Sequence, residues 1–306
     1  MVPKSPGWQD FLLLVILSAI LGASFLLTEI SIRSFSPLVV VAARLWIAAL
    51  VLLGWLLFTG ARLPGRGRHW YAIAASALFG NALPFSLITW GQVRVTPGIT
   101  AIFMAVMPLA TILLAHVYTR DERLNPAKVI GVLLGLVGVV VLVGPAHLNG
   151  IGHEWLHQLA IACAALCYAV NAIVTKHLVG IPKIPLLSAL LLIASLLMLP
   201  AMLLMPAQPS HPSLAGSVAV LISALGPTAL AALMIVIIVE RQGASFLSQI
   251  NFLVPLFGVI FAWIFLHELL PPSAWMALVL ILLGVATTRF GASQGRAVQA
   301  SGKSPQ

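Results

Sequence analysis

Polar side chains that lipid cannot solvate recur inside the hydrophobic runs of this chain: Ser24, Arg44, Asn81, Asn171, Thr228, Gln249 and Asn251. Their chemistry is binding and orientation. A carboxamide offers donors and an acceptor, a hydroxyl offers both, and a guanidinium presents a planar fork of donors that matches a carboxylate. Within a bilayer such groups face protein or water, so they either orient the polar groups of a solute or close hydrogen bonds between helices. Arg44 is the most deeply placed cation, and three readings of it compete: an ion pair with Glu29 on the preceding segment, a contact to a substrate carboxylate, or a side chain that snorkels its charge to the surface. Catalysis would need a nucleophile, a base or metal ligands clustered at one depth, and the sequence offers no such cluster. The run His153-Glu154-Trp155-Leu156-His157 sets two histidines four residues apart, a metal-capable spacing without further ligands nearby. Neither a metal nor a cofactor is expected.

Two prolines, Pro108 and Pro255, lie 147 residues apart in the middle of apolar segments. Proline lacks an N–H and frees a carbonyl one turn back, which in lipid must be satisfied by protein or water. Each proline belongs to a stripe with steps of four, three and four: Met104, Pro108, Thr111, Ala115 and Asn251, Pro255, Gly258, Ala262. Both are expected as a hinge or gate beside a central cavity. Trp90, Met104, Met107, Tyr168 and Trp263 are candidates for an adaptable apolar lining. Trp90 also fits an interfacial tryptophan belt.

The elements that must position these residues are membrane helices. The chain has 306 residues, is 61% hydrophobic and only 8% charged, too few charges to coat a soluble surface. Ten apolar stretches of bilayer length are expected, at about 10–31, 37–59, 70–92, 97–119, 126–145, 155–177, 184–206, 213–239, 243–267 and 272–290. Pro, Gly and charge punctuate the breaks. The net charge of +9 comes from bases spread between the runs, which argues against nucleic acid as a partner. With the N-terminus inside, 13 of the Lys and Arg residues fall on the inner side, two (Arg33 and Arg94) on the outer side, and Arg44 within a span. This asymmetry predicts that both termini are cytoplasmic.

The chain also repeats itself. At an offset of 147, Pro108 meets Pro255, Ser24 meets Asn171 and Asn81 meets Thr228; at 146, Glu122 meets Glu268 and Gly138 meets Gly284. Each half carries five spans, so tandem copies enter the membrane in opposite orientation, with Glu122 inside and Glu268 outside. The expected class is an all-α integral membrane protein of ten helices in two inverted five-helix repeats. The expected boundaries are 1–146 and 147–292, followed by a disordered cytoplasmic tail at 293–306. Gly131, Gly135 and Gly138 form a small-residue stripe, read as close packing within one chain or a dimer contact.

Over roughly residues 10–290 the chain resembles the EamA-type permeases of the drug/metabolite transporter superfamily. The resemblance is carried by Leu21-Gly22-Ala23-Ser24-Phe25, Arg44, the Pro108 segment leading to Glu122, Gly131 and Gly138. In the second copy it is carried by Ala165-Leu166-Cys167-Tyr168-Ala169, Gly243-Ala244-Ser245, Pro255, His267-Glu268 and Gly284. Two departures stand out: Leu21 where a tryptophan is frequent, and His267 where a glycine is. The resemblance implies efflux of small metabolites, often amino acids or related amphiphiles, across the bacterial inner membrane.

The expected function is therefore secondary transport of a small solute by alternating access, by a monomer or homodimer whose other partner is membrane lipid. Two alternatives remain: an exchanger of phosphorylated or nucleotide sugars, which would want several interior cations, and a polytopic membrane enzyme.

Overall fold

The computed structural model describes residues 7–118, 126–143, 155–178, 180–204 and 211–300; for residues 115, 143, 244, 245 and 288–300 it describes the backbone alone. Glu122 and the His153-Glu154 pair lie outside the described residues. Every described element is helical. Seven helices are long and apolar enough to cross a bilayer: α1 (Trp8–Ile32), α2 (Pro37–Phe58), α3 (His69–Gly91), α4 (Pro97–Tyr118), α6 (Trp155–Leu178), α7 (Lys183–Leu204) and α8 (Leu214–Gln242). Among the described residues three further helices carry shorter apolar stretches: α5 (Pro126–Val143), α9 (Ala244–Leu247 and, after a turn, Ile250–Leu266) and α10 (Pro272–Ala300, apolar to Thr287). Residues 293–300, expected as a disordered tail, instead continue α10. The segment contains no proline, and Gln294, Arg296, Ala297, Gln299 and Ala300 favour a helix against Gly295.

Helix starts follow local rules. Pro37, Pro97, Pro126 and Pro272 open α2, α4, α5 and α10 at the position where a missing N–H costs nothing. Ser213 caps α8, its side chain accepting the Gly216 N–H at 3.0 Å. At the end of α9, His267 takes a left-handed conformation, φ 52°, and the Glu268 N–H returns to the Ala262 carbonyl at 3.2 Å. This is the backbone that glycine adopts freely and L side chains avoid, which gives a physical reason for the glycine that the resemblance places here. His267→Gly is expected to raise the melting temperature in detergent, through a gain of about 0.5–1 kcal/mol; an unchanged or lower value would contradict the strain.

The contacts between helices exchange under the sequence offset. α1 packs on α8 and α9, and α6 packs correspondingly on α3 and α4; α2 meets the middle of α8, and α7 meets the middle of α3. α2 pairs with α7 and α5 with α10, each helix with its own counterpart. The α5–α10 contact shows the relation at atomic detail. A Cβ on Gly138 would lie 2.7 Å from Ile281 Cγ1 and 3.1 Å from the Ala277 carbonyl oxygen. One on Gly284 would lie 2.5 Å from the Gly131 carbonyl oxygen and 3.0 Å from the Gly135 nitrogen. Shifting the first set of residues by 146 yields the second, as expected of a two-fold contact. The small-residue stripe therefore packs within the chain. Lipid supplies no hydrophobic drive between helices, so such close approach is what holds them together.

Candidate functional site

Both third helices of the halves change their winding at mid-length. In α3 residues Leu78–Ala82 form a π-helical turn, and in α8 residues Ala224–Leu230 do the same. Asn81 and Thr228, paired by the offset, sit within these turns. Pro227 explains the second. Having no N–H, it leaves the Ser223 carbonyl free, and Thr228 Oγ1 donates to that carbonyl at 2.8 Å. In α3 the proline is Pro84, just beyond the π turn. Such turns mark functional positions often enough to direct attention to what they border.

They border a central cavity of about 320 Å³. Its walls come from α1, α2, α3, α4, α6, α8 and α9, while α5, α7 and α10 stay outside. Seven lining pairs obey the 147-residue offset: Leu21 with Tyr168, Gly80 with Pro227, Asn81 with Thr228, Phe85 with Ala232, Ile88 with Ile235, Met104 with Asn251 and Met107 with Val254. The pseudo-two-fold thus passes through the cavity. Most of the wall is apolar, and its polar groups are Ser24, Thr28, Arg44, Asn81, Thr89, Tyr168, Thr228 and Asn251. Among the described residues no Asp or Glu lines it.

Arg44 is 6% exposed. Its Nε donates to Thr228 Oγ1 at 2.7 Å, a bond from the first half to the second. Its guanidinium lies 4.1 Å from the centre of the Phe85 ring, on which the cation is attracted by the ring's negative face. Thr228 is therefore a hub, accepting from Arg44 and donating to Ser223. The expected Glu29–Arg44 pair does not form: Glu29 Oε1 instead takes Arg33 Nε at 3.1 Å, one turn along α1, where helix geometry favours a local partner.

The structure gathers Ser24, Arg44, Asn81, Met104, Met107, Tyr168, Thr228, Asn251 and Pro255 around the cavity, and places the other expected site residues elsewhere. Asn171 accepts a hydrogen bond from Ser76 Oγ at 2.7 Å and packs on Gly80, joining α6 to α3. Trp90 stacks on His157 with ring centroids 4.2 Å apart. Trp263 is 59% exposed on the outside of α9. Gln249 occupies the turn that breaks α9, where Asn251 and Phe252 also begin the next piece. Pro108 is near the start of the second piece of α4, directly after a break at Ala105-Val106, and does not line the cavity. The two proline stripes thus differ. Asn251, Pro255, Gly258 and Ala262 share one continuous helix, whereas Met104 and Pro108 stand on either side of a break. Phe85, Thr28, Thr89 and Pro227 also line the cavity without having been expected from sequence. The glycine or proline next to each mid-span polar residue, Gly80-Asn81 and Pro227-Thr228, was the available signal.

Glu268 clasps the halves at the rim. Glu268, after α9, accepts from Thr96 Oγ1 and from the Gly98 N–H at 3.0 Å, capping the start of α4 with a negative charge. A Cβ on Gly98 would lie 2.8 Å from Glu268 Oε1, so the glycine makes room for the carboxylate.

A helical bundle of duplicated halves around a shared cavity is an architecture suited to carrying a solute across a membrane. The chain belongs to the EamA-like transporter family, which it matches twice, over residues 10–144 and 155–290. It is similar to an uncharacterized transporter, YoaV, of Bacillus subtilis, at 22% identity over 90% of this chain and 95% of that one. It is also similar to an uncharacterized inner membrane transporter, YedA, of Escherichia coli K12, at 24% identity over 88% and 87%. An uncharacterized transporter of Archaeoglobus fulgidus is 23% identical over 51% of this chain, which spans about half of that relative (55%). A solved protein structure shares the fold, with a TM-score of 0.66 at 19% identity, covering 92% of this chain and 97% of the other.

Proposed function

We propose that this protein is a secondary transporter that exports small metabolites, amino acids or related amphiphilic solutes, across the bacterial inner membrane by alternating access. The observation that carries the reading is the central cavity, shared by the two halves and lined by residues that the offset pairs. Ser24, Arg44, Asn81, Tyr168, Thr228 and Asn251 supply its polar contacts, and Met104 and Met107 its adaptable apolar wall. The breaks in α4 and α9, offset differently in the two halves, are the flexing points. The halves take unlike conformations of one pattern, and exchanging them turns the cavity from one side of the membrane to the other.

Ten crossings with both termini cytoplasmic fit the contacts between helix ends. Ser34 with Ser213, and Thr96 with Glu268, then meet on the outer side. Gln242 with Asp10, and Lys183 with Glu240, meet on the inner side. Cysteines placed at the exposed helix-end positions Arg33 and Arg241 are expected to be labelled by impermeant reagents from opposite faces.

The direct test is counterflow from proteoliposomes holding a labelled mixture of amino acids and aromatic acids. Specific exit above protein-free vesicles supports the reading, and no exit of any component opposes it. Asn251→Leu is expected to lower that flux about ten-fold at normal expression, the cost of one lost hydrogen bond to the solute; undiminished flux would remove Asn251 from the site.

A further inference from the structure

We infer that the solute of this cavity is a small monocarboxylate with an apolar body, bound at Arg44, rather than a zwitterion. The inference narrows the transporter reading from amino acids to related amphiphilic carboxylates, and rests on that reading for the solute's passage, though not for its binding. A guanidinium has five N–H donors. Among the described residues Arg44 spends one, at Nε on Thr228, and the four on its two terminal nitrogens have no hydrogen-bond partner. Those nitrogens belong to a side chain that lines the cavity, and neither is among the sealed, unpartnered atoms of the interior. Phe85 beneath the guanidinium and Thr228 at its edge fix its plane, leaving the end of the fork for a ligand. A planar anion with two oxygens fits that end, as carboxylates fit arginine elsewhere.

The cavity is also unbalanced in charge. Among the described residues it holds one cation and no acid, and the residue that the offset pairs with Arg44 is Leu191, which is not part of the wall. An α-ammonium group would enter beside a fixed positive charge with no carboxylate to receive it, at a large desolvation cost. The face of Phe85 that could otherwise hold a cation is taken by Arg44 itself. A phosphate ester, with two charges, would face a single arginine. The volume of about 320 Å³ sits at the lower end for small-molecule sites, so a single-ring or branched body suffices.

Four probes on one carbon skeleton test this: 3-phenylpropanoate, 3-phenylpropanamide, phenylalanine and 3-phenylpropylamine. Calorimetric titration of the purified full chain in detergent measures binding, and counterflow measures passage. The anion is expected to bind at least about ten-fold more tightly than the amide or phenylalanine, and the amine not at all. In Arg44→Gln the anion should lose its advantage over the amide, while Arg44→Lys keeps part of it. If Arg44→Gln does not fold, the order of the four probes on the native protein decides alone. Equal or tighter binding of the amide or phenylalanine, a preference that survives Arg44→Gln, or binding of none of the four would overturn the inference. Binding of the anion without passage leaves the inference standing and sinks the transporter reading. Passage of phenylalanine without preference for the anion does the reverse.

Discussion

Gly284→Leu is expected to yield no folded protein in detergent, and Gly284→Ala to lower the melting temperature sharply. The reason is the partner of the missing side chain. A Cβ at 284 would press on the Gly131 carbonyl oxygen at 2.5 Å and the Gly135 nitrogen at 3.0 Å, both backbone atoms that no rotamer change can move aside. Overpacking commonly costs about 1–3 kcal/mol, and with backbone on the other side the alanine variant belongs at the upper end. The larger leucine would force α5 and α10 apart along the seam that joins counterpart helices. Gly54→Ala is the control: nothing lies within 4 Å of its Cβ, so removing a mid-helix glycine from α2 should stabilise by about 0.5–1 kcal/mol. A thermal melt of the three variants decides it, and equal melting of Gly284→Ala and the parent would refute the packing argument.

Thr228→Val is expected to have the second largest effect. Valine matches threonine in shape and loses both hydrogen bonds, so the variant isolates the hydroxyl. Arg44 Nε loses its 2.7 Å acceptor, and the Ser223 carbonyl freed by Pro227 loses its 2.8 Å donor. Leaving a buried charged donor unpaired costs more than the ~1–3 kcal/mol of a neutral group, so flux should fall by about ten- to a hundred-fold. Thr228→Ser keeps the hydroxyl and should retain most of the activity. A double-mutant cycle with Arg44→Met should show coupling of about 1–3 kcal/mol, since the two residues share one bond. Additive effects would mean that the bond contributes nothing.

Much of the architecture was legible beforehand because it depends on solvent and spacing. A chain with 61% hydrophobic residues and 8% charge has no alternative to lipid over most of its surface. The offset that pairs Asn81 with Thr228 and Gly138 with Gly284 needed no coordinates to find, and both pairs fall at matching places in the fold. The cavity was partly legible for the same reason. Polar residues inside apolar runs are rare, so Arg44, Asn81 and Asn251 were visible as candidates.

The misplacements share a cause. Asn171 and Ser24 are equivalent in sequence, yet Asn171 reaches Ser76 across a helix contact while Ser24 remains at the cavity wall. Trp263 is on a broken helix whose outer face sequence alone does not mark, and Pro108 follows a break that lies at Ala105-Val106 rather than at the proline. Which way a side chain turns about its helix is a rotation of 100° per residue, and a turn of π-helix or a two-residue break resets it.

By itself the sequence determined that this chain lives in lipid, that one pattern is written twice, and which polar residues fall inside its apolar runs, because composition and periodicity are local properties of the chain. The tertiary structure alone decided that Arg44 leans on Phe85 and Thr228 instead of pairing with Glu29, and that Asn171 holds helices together. Those outcomes depend on distances between residues up to 184 positions apart, and helix rotation, which no local pattern encodes, sets them.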